Sequence, residues 1–308
     1  MRFGNDIDVI QSWGYYTMFY DLTEHACQQA LQERGILLGF HLDNDLGKRA
    51  YSEIKKDSSF LIHISVGYLD KLYDEIVNKS TYNDVIKSII DKYDIKISIF
   101  SLKELVHFLA LSACFAHEFG HIINGHLDYK NKHIFRHIDY SKSEHKNIQE
   151  NMLEYDADSY CGIFMAGFLY ITEDICSKEK NKKALIDLVC ISSYILFYTF
   201  LDNKKYSINY PPYIVRMHTV ISSFCYAAKM SSIYDIKDGV IIINDDETKE
   251  LIQQLHNLVV NCYKQSKGIT LKDTKEEINT WIDLYKENNK LIAECHEASF
   301  PKFPMRQS

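Results

Sequence analysis

From Ser101 to Tyr129 the chain reads SLKELVHFLALSACFAHEFGHIINGHLDY, an apolar run with a His-Glu-His cluster towards its end. Such a run forms a helix, and a helix this apolar is buried. The cluster must be buried with it. His117 and His121 are four residues apart, which on a helix is about 40° around the axis and about 6 Å along it. Both imidazoles therefore face one point. Glu118 stands one position on, at the flank of that face. Ionisable groups in a core are costly unless something compensates, and a metal ion does. The chain must then bring a third ligand to this helix from elsewhere.

The helix has expected ends. Ser101 and Glu104 form an S-x-x-E capping box. Asn124-Gly125 tolerates the left-handed conformation that closes a helix. For the third ligand, one solution is a histidine ten residues after His117. That position holds Leu127, and His126 is out of register by one. The other solution is a glutamate on a following helix, and NMLEYDADSYCG supplies it. Glu154 and Asp158 are four apart and share a face. Glu154 is the expected ligand. Asp158 is expected to hydrogen-bond a ligating histidine and fix its tautomer. Ala157 lets the two helices approach closely, while Asp156 and Glu150 lie on other faces. His126, His133, His137 and His145 are irregularly spaced and read as solvated or rim residues. With zinc as the ion, H-E-x-x-H places Glu118 to take a proton from an attacking water.

The rest of the chain reads as a single α+β domain over residues 1–308, mostly helical. Residues 1–100 hold a small sheet plus helices, 101–233 the zinc-site helices, and 234–308 a helical C-terminal part. The β-rich runs 35–43, 48–54 and 59–65, separated by polar turns, predict a small antiparallel sheet. Helices are expected over 6–33, 66–80, from about 143, over 182–201, after Pro211-Pro212, and over 246–266 and 274–297. A polar, basic loop is expected over 128–142. The apolar stretch 188–201 is too short for a comfortable membrane span and reads as a buried helix.

A formal net charge of −7 gives nucleic-acid binding no support. The N-terminal MRFGNDIDVIQSWG has acids where a signal peptide needs an apolar run. None of the eight cysteines is spaced C-x-x-C, so they read as reduced core thiols of a cytoplasmic protein.

HEFGHIINGH followed by EYDAD resembles the gluzincin metallopeptidases of the HtpX and CAAX-protease type. There, H-E-x-x-H precedes a helix carrying E-x-x-A-D or a near variant. Those families also carry a downstream His-Pro-Pro run and an Arg. Here the stretch is YPPYIVRM, with Tyr210 at the histidine position and Arg216 kept. Their membrane helices are missing. Over roughly residues 35–230 the order of motifs is similar to the Lit-type phage-exclusion peptidases. That resemblance implies a cytoplasmic zinc endopeptidase without stable membrane insertion. Its zinc ligands would be His117, His121 and Glu154, its general base Glu118, and its oxyanion donors Arg216 and Tyr210. Its substrate would be a protein, such as the bacterial elongation factor Tu, and a phage-derived activator fits the same resemblance. The strand at 59–65 is expected to pair with an extended substrate. A latent or degenerate zinc-binding regulatory protein on the same fold is the alternative.

Overall fold

The computed structural model describes residues 37–47, 49–134, 144–167, 178–200, 213–228, 234–237, 240–243, 246–267 and 274–299, with Glu24 and Gln28. Apart from those last two residues, the helices expected over 6–33 lie outside the described residues. So does Tyr210.

Strands β1 (Leu38–Asp43), β2 (Ala50–Ile54) and β3 (Phe60–Ser65) form one sheet in the order β1-β3-β2. The sheet is mixed, not antiparallel as the runs predict. β3 pairs antiparallel with β2 and parallel with β1. β1 and β2 run in opposite directions, but β3, the most deeply buried of the three, inserts between them. Period-two alternation sets the faces. Phe40, Leu42, Ile62 and Ile64 point into the core, whereas His41, His63 and Tyr51 share the opposite face. Ser65 secures the loop between β1 and β2. Its hydroxyl donates to Gly47 O and accepts from Arg49 N–H at 3.0 Å, and it also caps the next helix through Tyr68 N–H.

That helix, α1 (Val66–Tyr73), runs into a π-type turn at Asp74–Asn78, and α2 (Asn83–Tyr93) follows. The motif helix α3 spans Ile99–Ile123. Its cap is Ser98, three residues before the expected one. The Ser98 hydroxyl accepts the Ser101 N–H at 3.0 Å, so Ser101 already lies within the first turn. At the other end the stop is as expected: Gly125 has φ 75° and donates to Ile122 O. The buried Lys103 donates to the carbonyls of Val77 and Lys79, where the π-type turn leaves acceptors.

The segment expected to be a loop after α3 opens instead as helix α4 (His126–Ile134). Then come α5 (Glu144–Met165), α6 (Lys178–Phe200) and α7 (Tyr213–Ala227). A hairpin of β4 (Tyr234–Lys237) and β5 (Val240–Ile243), not foreseen, precedes α8 (Asp246–Lys267). The last expected helix is two, α9 (Thr274–Glu287) and α10 (Asn289–Ser299). They part at Asn288, whose side chain donates to Leu284 O.

Helices α3, α5, α6 and α7 pack on one another, and the sheet lies against α3. α3 is long and apolar enough to cross a membrane, yet in this fold it is the mostly buried core helix. Leu188 to Phe197 of α6 are buried as expected. Close helix contact depends on small residues. A Cβ on Gly120 of α3 would lie 3.1 Å from Ala157 O on α5, and one on Gly162 of α5 would lie 2.2 Å from Val220 O on α7. α5 is thus held at backbone distance from both neighbours. Cys114, Cys161, Cys190, Cys225 and Cys295 are buried and form no disulfide with one another.

Candidate metal centre

The close approach of α3 and α5 brings His117, His121 and Glu154 together as a group that could hold a metal ion. His117 Nε2 lies 3.1 Å from Glu154 Oε2 and 3.3 Å from His121 Nε2, and His121 Nε2 lies 3.4 Å from Glu154 Oε1. Donors about 2.0–2.1 Å from a tetrahedral ion are about 3.3 Å apart. The three separations match that edge. All three residues are buried, as is Glu118 beside them.

The surrounding hydrogen bonds set each imidazole. His117 Nδ1 lies 2.8 Å from Asp158 Oδ1, so it donates there and Nε2 faces the centre. His121 is set by a longer chain. Asp156 Oδ2 accepts from His126 Nε2 at 3.0 Å, which leaves His126 Nδ1 to accept from His121 Nδ1 at 2.8 Å. His121 Nε2 then carries the lone pair that faces His117 and Glu154. His126 is therefore neither solvated nor on a rim: its exposure is 0%. Helical periodicity places it well off the ligand face, but the turn at Gly125 folds it back onto His121. Asp156, on another face of α5 as expected, gathers the far end of the chain. It accepts from Asn124, from His296 on α10 at 2.8 Å and from Tyr285 on α9 at 3.3 Å.

Arg216 of α7 completes the cluster. Its Nε and Nη2 donate to the two oxygens of Asp158 at 2.8 and 2.9 Å, and its guanidinium stacks on Phe197 at 4.5 Å. Nη2 is nearly equidistant from both ring nitrogens of His117, at 3.2 and 3.3 Å, so it lies over the ring face. It stands 3.7 Å from Glu154 Oε2. Glu118 accepts a hydrogen bond from the Ser52 side chain on β2, which ties the motif helix to the sheet.

Charge completes the description. Burial disfavours the charged form of every group here. It pushes the Glu118 carboxyl up, with His117 opposing. It would also raise Glu154, but His121 and His117 hold that carboxyl well below its ordinary value. Asp158 is likewise held low, by Arg216 and His117 against burial. For His117, burial opposes the proton but the Asp158 carboxylate prevails and raises it to about 9. His121 is lowered by burial, with Glu154 opposing. Three buried carboxylates, Glu118, Glu154 and Asp158, thus face one guanidinium. The deficit is two positive charges. The protonated His117 supplies one, and a single dication bound to two neutral imidazoles would supply both.

No family model matches the chain, and no curated protein or solved structure matches it either.

Proposed function

We propose that the protein is a zinc-dependent endopeptidase whose site is built on His117, His121 and Glu154. The observation that carries this reading is three donors at tetrahedral spacing, set among three buried carboxylates that face one guanidinium. Two imidazole nitrogens and a carboxylate oxygen suit zinc. When bound, zinc would polarise the scissile carbonyl and lower the pKa of a water towards 7.

The chain's own residues do the rest. Glu118, raised by burial and oriented by Ser52, takes a proton from the attacking water as its oxygen bonds to the carbonyl carbon. Glu118 then passes that proton to the amine as the carbon–nitrogen bond breaks. Asp158 holds His117 in the ligating tautomer. Arg216 keeps Asp158 charged and aimed, which makes it a positioning residue first. It also stands 3.7 Å from Glu154, where its positive charge would favour a developing oxyanion.

Substrate docking falls to a different strand from the one expected. β3 is paired on both edges, so it has no edge for a substrate. β2 is better placed. Arg49 O accepts from Ser65 N–H and Lys55 N–H donates to Ser59 O, which makes Tyr51 and Glu53 hydrogen-bonded partners of β3. Ala50, Ser52 and Ile54 then direct their backbone groups to the outer edge. Among the described residues no strand pairs there. Ser52 touches Glu118, so an extended peptide on that edge would pass the site. The motif order further supports a cytoplasmic enzyme acting on a bacterial host protein, of which elongation factor Tu is one, during phage infection.

Glu118→Gln tests the reading. The variant should bind one zinc at this site like the wild type and lose about 10²–10⁴-fold in peptide hydrolysis. Proteomic comparison of cells expressing either form, with and without phage infection, reads out substrate and activator. Full activity in the variant removes Glu118 as base. Zinc retained without hydrolysis by the wild type in either condition would favour a zinc-binding regulatory protein.

A further inference from the structure

We propose a second zinc-class cation site, on the face of the sheet opposite the core, with His41, Asp43 and His63 as ligands. The residues come from two strands. His41 and Asp43 share a face of β1, and His63 is the cross-strand partner of His41 on β3. His41 Nε2 lies 3.0 Å and His63 Nδ1 3.3 Å from the same oxygen, Asp43 Oδ1. The three donor atoms lie within 4.8 Å of one another. One of the two separations from Asp43 equals the edge of about 3.3 Å expected around a tetrahedral zinc, and the other is slightly shorter.

The far nitrogen of His63 strengthens the case. Nε2 lies 3.1 Å from Glu53 Oε1 on β2, so both ring nitrogens meet carboxylates. A neutral imidazole has one N–H and cannot donate to both. With Nε2–H given to Glu53, the Nδ1 position faces Asp43, and either a proton or a bound cation between them satisfies that contact. His117 shows the same arrangement between Asp158 and Glu154. A carboxylate behind a histidine is the usual support of a metal ligand. Here Tyr51 also stacks on the His63 ring at 4.4 Å with an interplanar angle of 6°, which fixes its plane.

Two observations define the ligand. The N,N,O donor set suits a borderline transition dication such as zinc rather than calcium or magnesium, which require oxygen. The His41 side chain is 41% exposed and that of His63 only 10%. The site therefore opens on the His41 side, where water completes the coordination. Such an ion ties β1 to β3 and, through Glu53, engages β2, the strand whose Ser52 meets Glu118. Its role is to brace the sheet. It is independent of whether the first centre is catalytic.

The experiment is a zinc count. Chelator-stripped protein is dialysed to equilibrium against buffered micromolar Zn²⁺, and metal per chain is measured for the wild type, His41→Ala, His63→Ala and Glu154→Gln. Two zinc ions are expected for the wild type and one for each variant. Glu53→Gln should retain the site with about 10–100-fold weaker affinity. His41 is half-exposed, so His41→Ala gives a folded comparison even if His63→Ala disturbs the sheet. A zinc count that His41→Ala and His63→Ala both leave at the wild-type value overturns the site and reduces the cluster to a proton-bridged network. The count for Glu154→Gln reports on the first centre alone, so failure of one site is distinguishable from failure of the other.

Discussion

Asp158→Asn is the most informative single change, because Asp158 serves Arg216 and His117 at once. Its exposure is 0%, and it holds Arg216 through contacts of 2.8 and 2.9 Å. Those contacts put the charge centres about 4 Å apart, worth about 4 kcal/mol at the effective dielectric of 20 that suits protein sites. Orphaning one member of a buried pair typically costs 3–5 kcal/mol, so the two figures agree. Asn keeps one acceptor oxygen, which lowers the expected loss to about 3 kcal/mol. For a chain of this size that lowers the Tm by roughly 5 °C. The assay is urea and thermal unfolding of metal-free protein, with Arg216→Met and the double variant completing a cycle. The double variant removes both charges, so it should lose clearly less than the two single losses added. Zinc affinity of Asp158→Asn should also fall about 10–100-fold, because His117 loses the carboxylate behind it. A stability loss under about 1 kcal/mol, or strictly additive losses, would refute the reasoning that this pair neutralises the buried site.

Three further outcomes are expected. His126→Ala breaks the chain from Asp156 to His121 and should weaken zinc binding about 10–100-fold; equal affinity by competition with a chelator would show that His121 needs no such support. Gly162→Ala places a methyl 2.2 Å from Val220 O and should destabilise by about 1–3 kcal/mol in denaturant melts, whereas an unchanged midpoint would mean that α5 and α7 separate freely. His107 is buried beside Tyr73, and burial lowers it to about 3 against the hydrogen bond it donates to the Leu69 backbone carbonyl. The unfolded chain takes up that proton near pH 6.5, so His107 costs roughly 4 kcal/mol of stability as pH falls from 6.5 to about 3. His107→Leu should flatten that decline, and parallel pH profiles of the two proteins would count against it.

What was legible in the sequence is what helical periodicity governs. His117 and His121 at spacing four, Glu154 and Asp158 at spacing four, and the small residue at Ala157 each carry their geometry in local spacing alone. The stop at Gly125 was legible for a related reason, since a left-handed residue there favours glycine. The ends of period-based reasoning are equally specific. His126 lies beyond that stop, and the turn reverses the face it would otherwise occupy. Asp156 points away from the ligands, and its partners Tyr285 and His296 lie 129 and 140 residues further along the chain. No local pattern encodes such contacts. The mixed sheet escaped for the same reason: each strand is visible as a run, but strand order follows from which run is buried most deeply.

The arrangement of charges links the helices to the chemistry. A core helix as apolar as α3 can carry His117, Glu118 and His121 only if the helices around it return countercharge at short range. α7 returns it through Arg216, and α5 brings Glu154 and Asp158, so with Glu118 three carboxylates of the cluster face one guanidinium. Burial raises Glu118 and Asp158 raises His117, so protons on these two groups can meet the need for countercharge. A dication held by His117, His121 and Glu154 would supply the same charge and let those protons go. Such a surplus of carboxylates would favour a divalent ion at this cluster. Gly120 and Gly162, by admitting α5 to backbone distance, are what bring the charges close enough for one ion to meet the need.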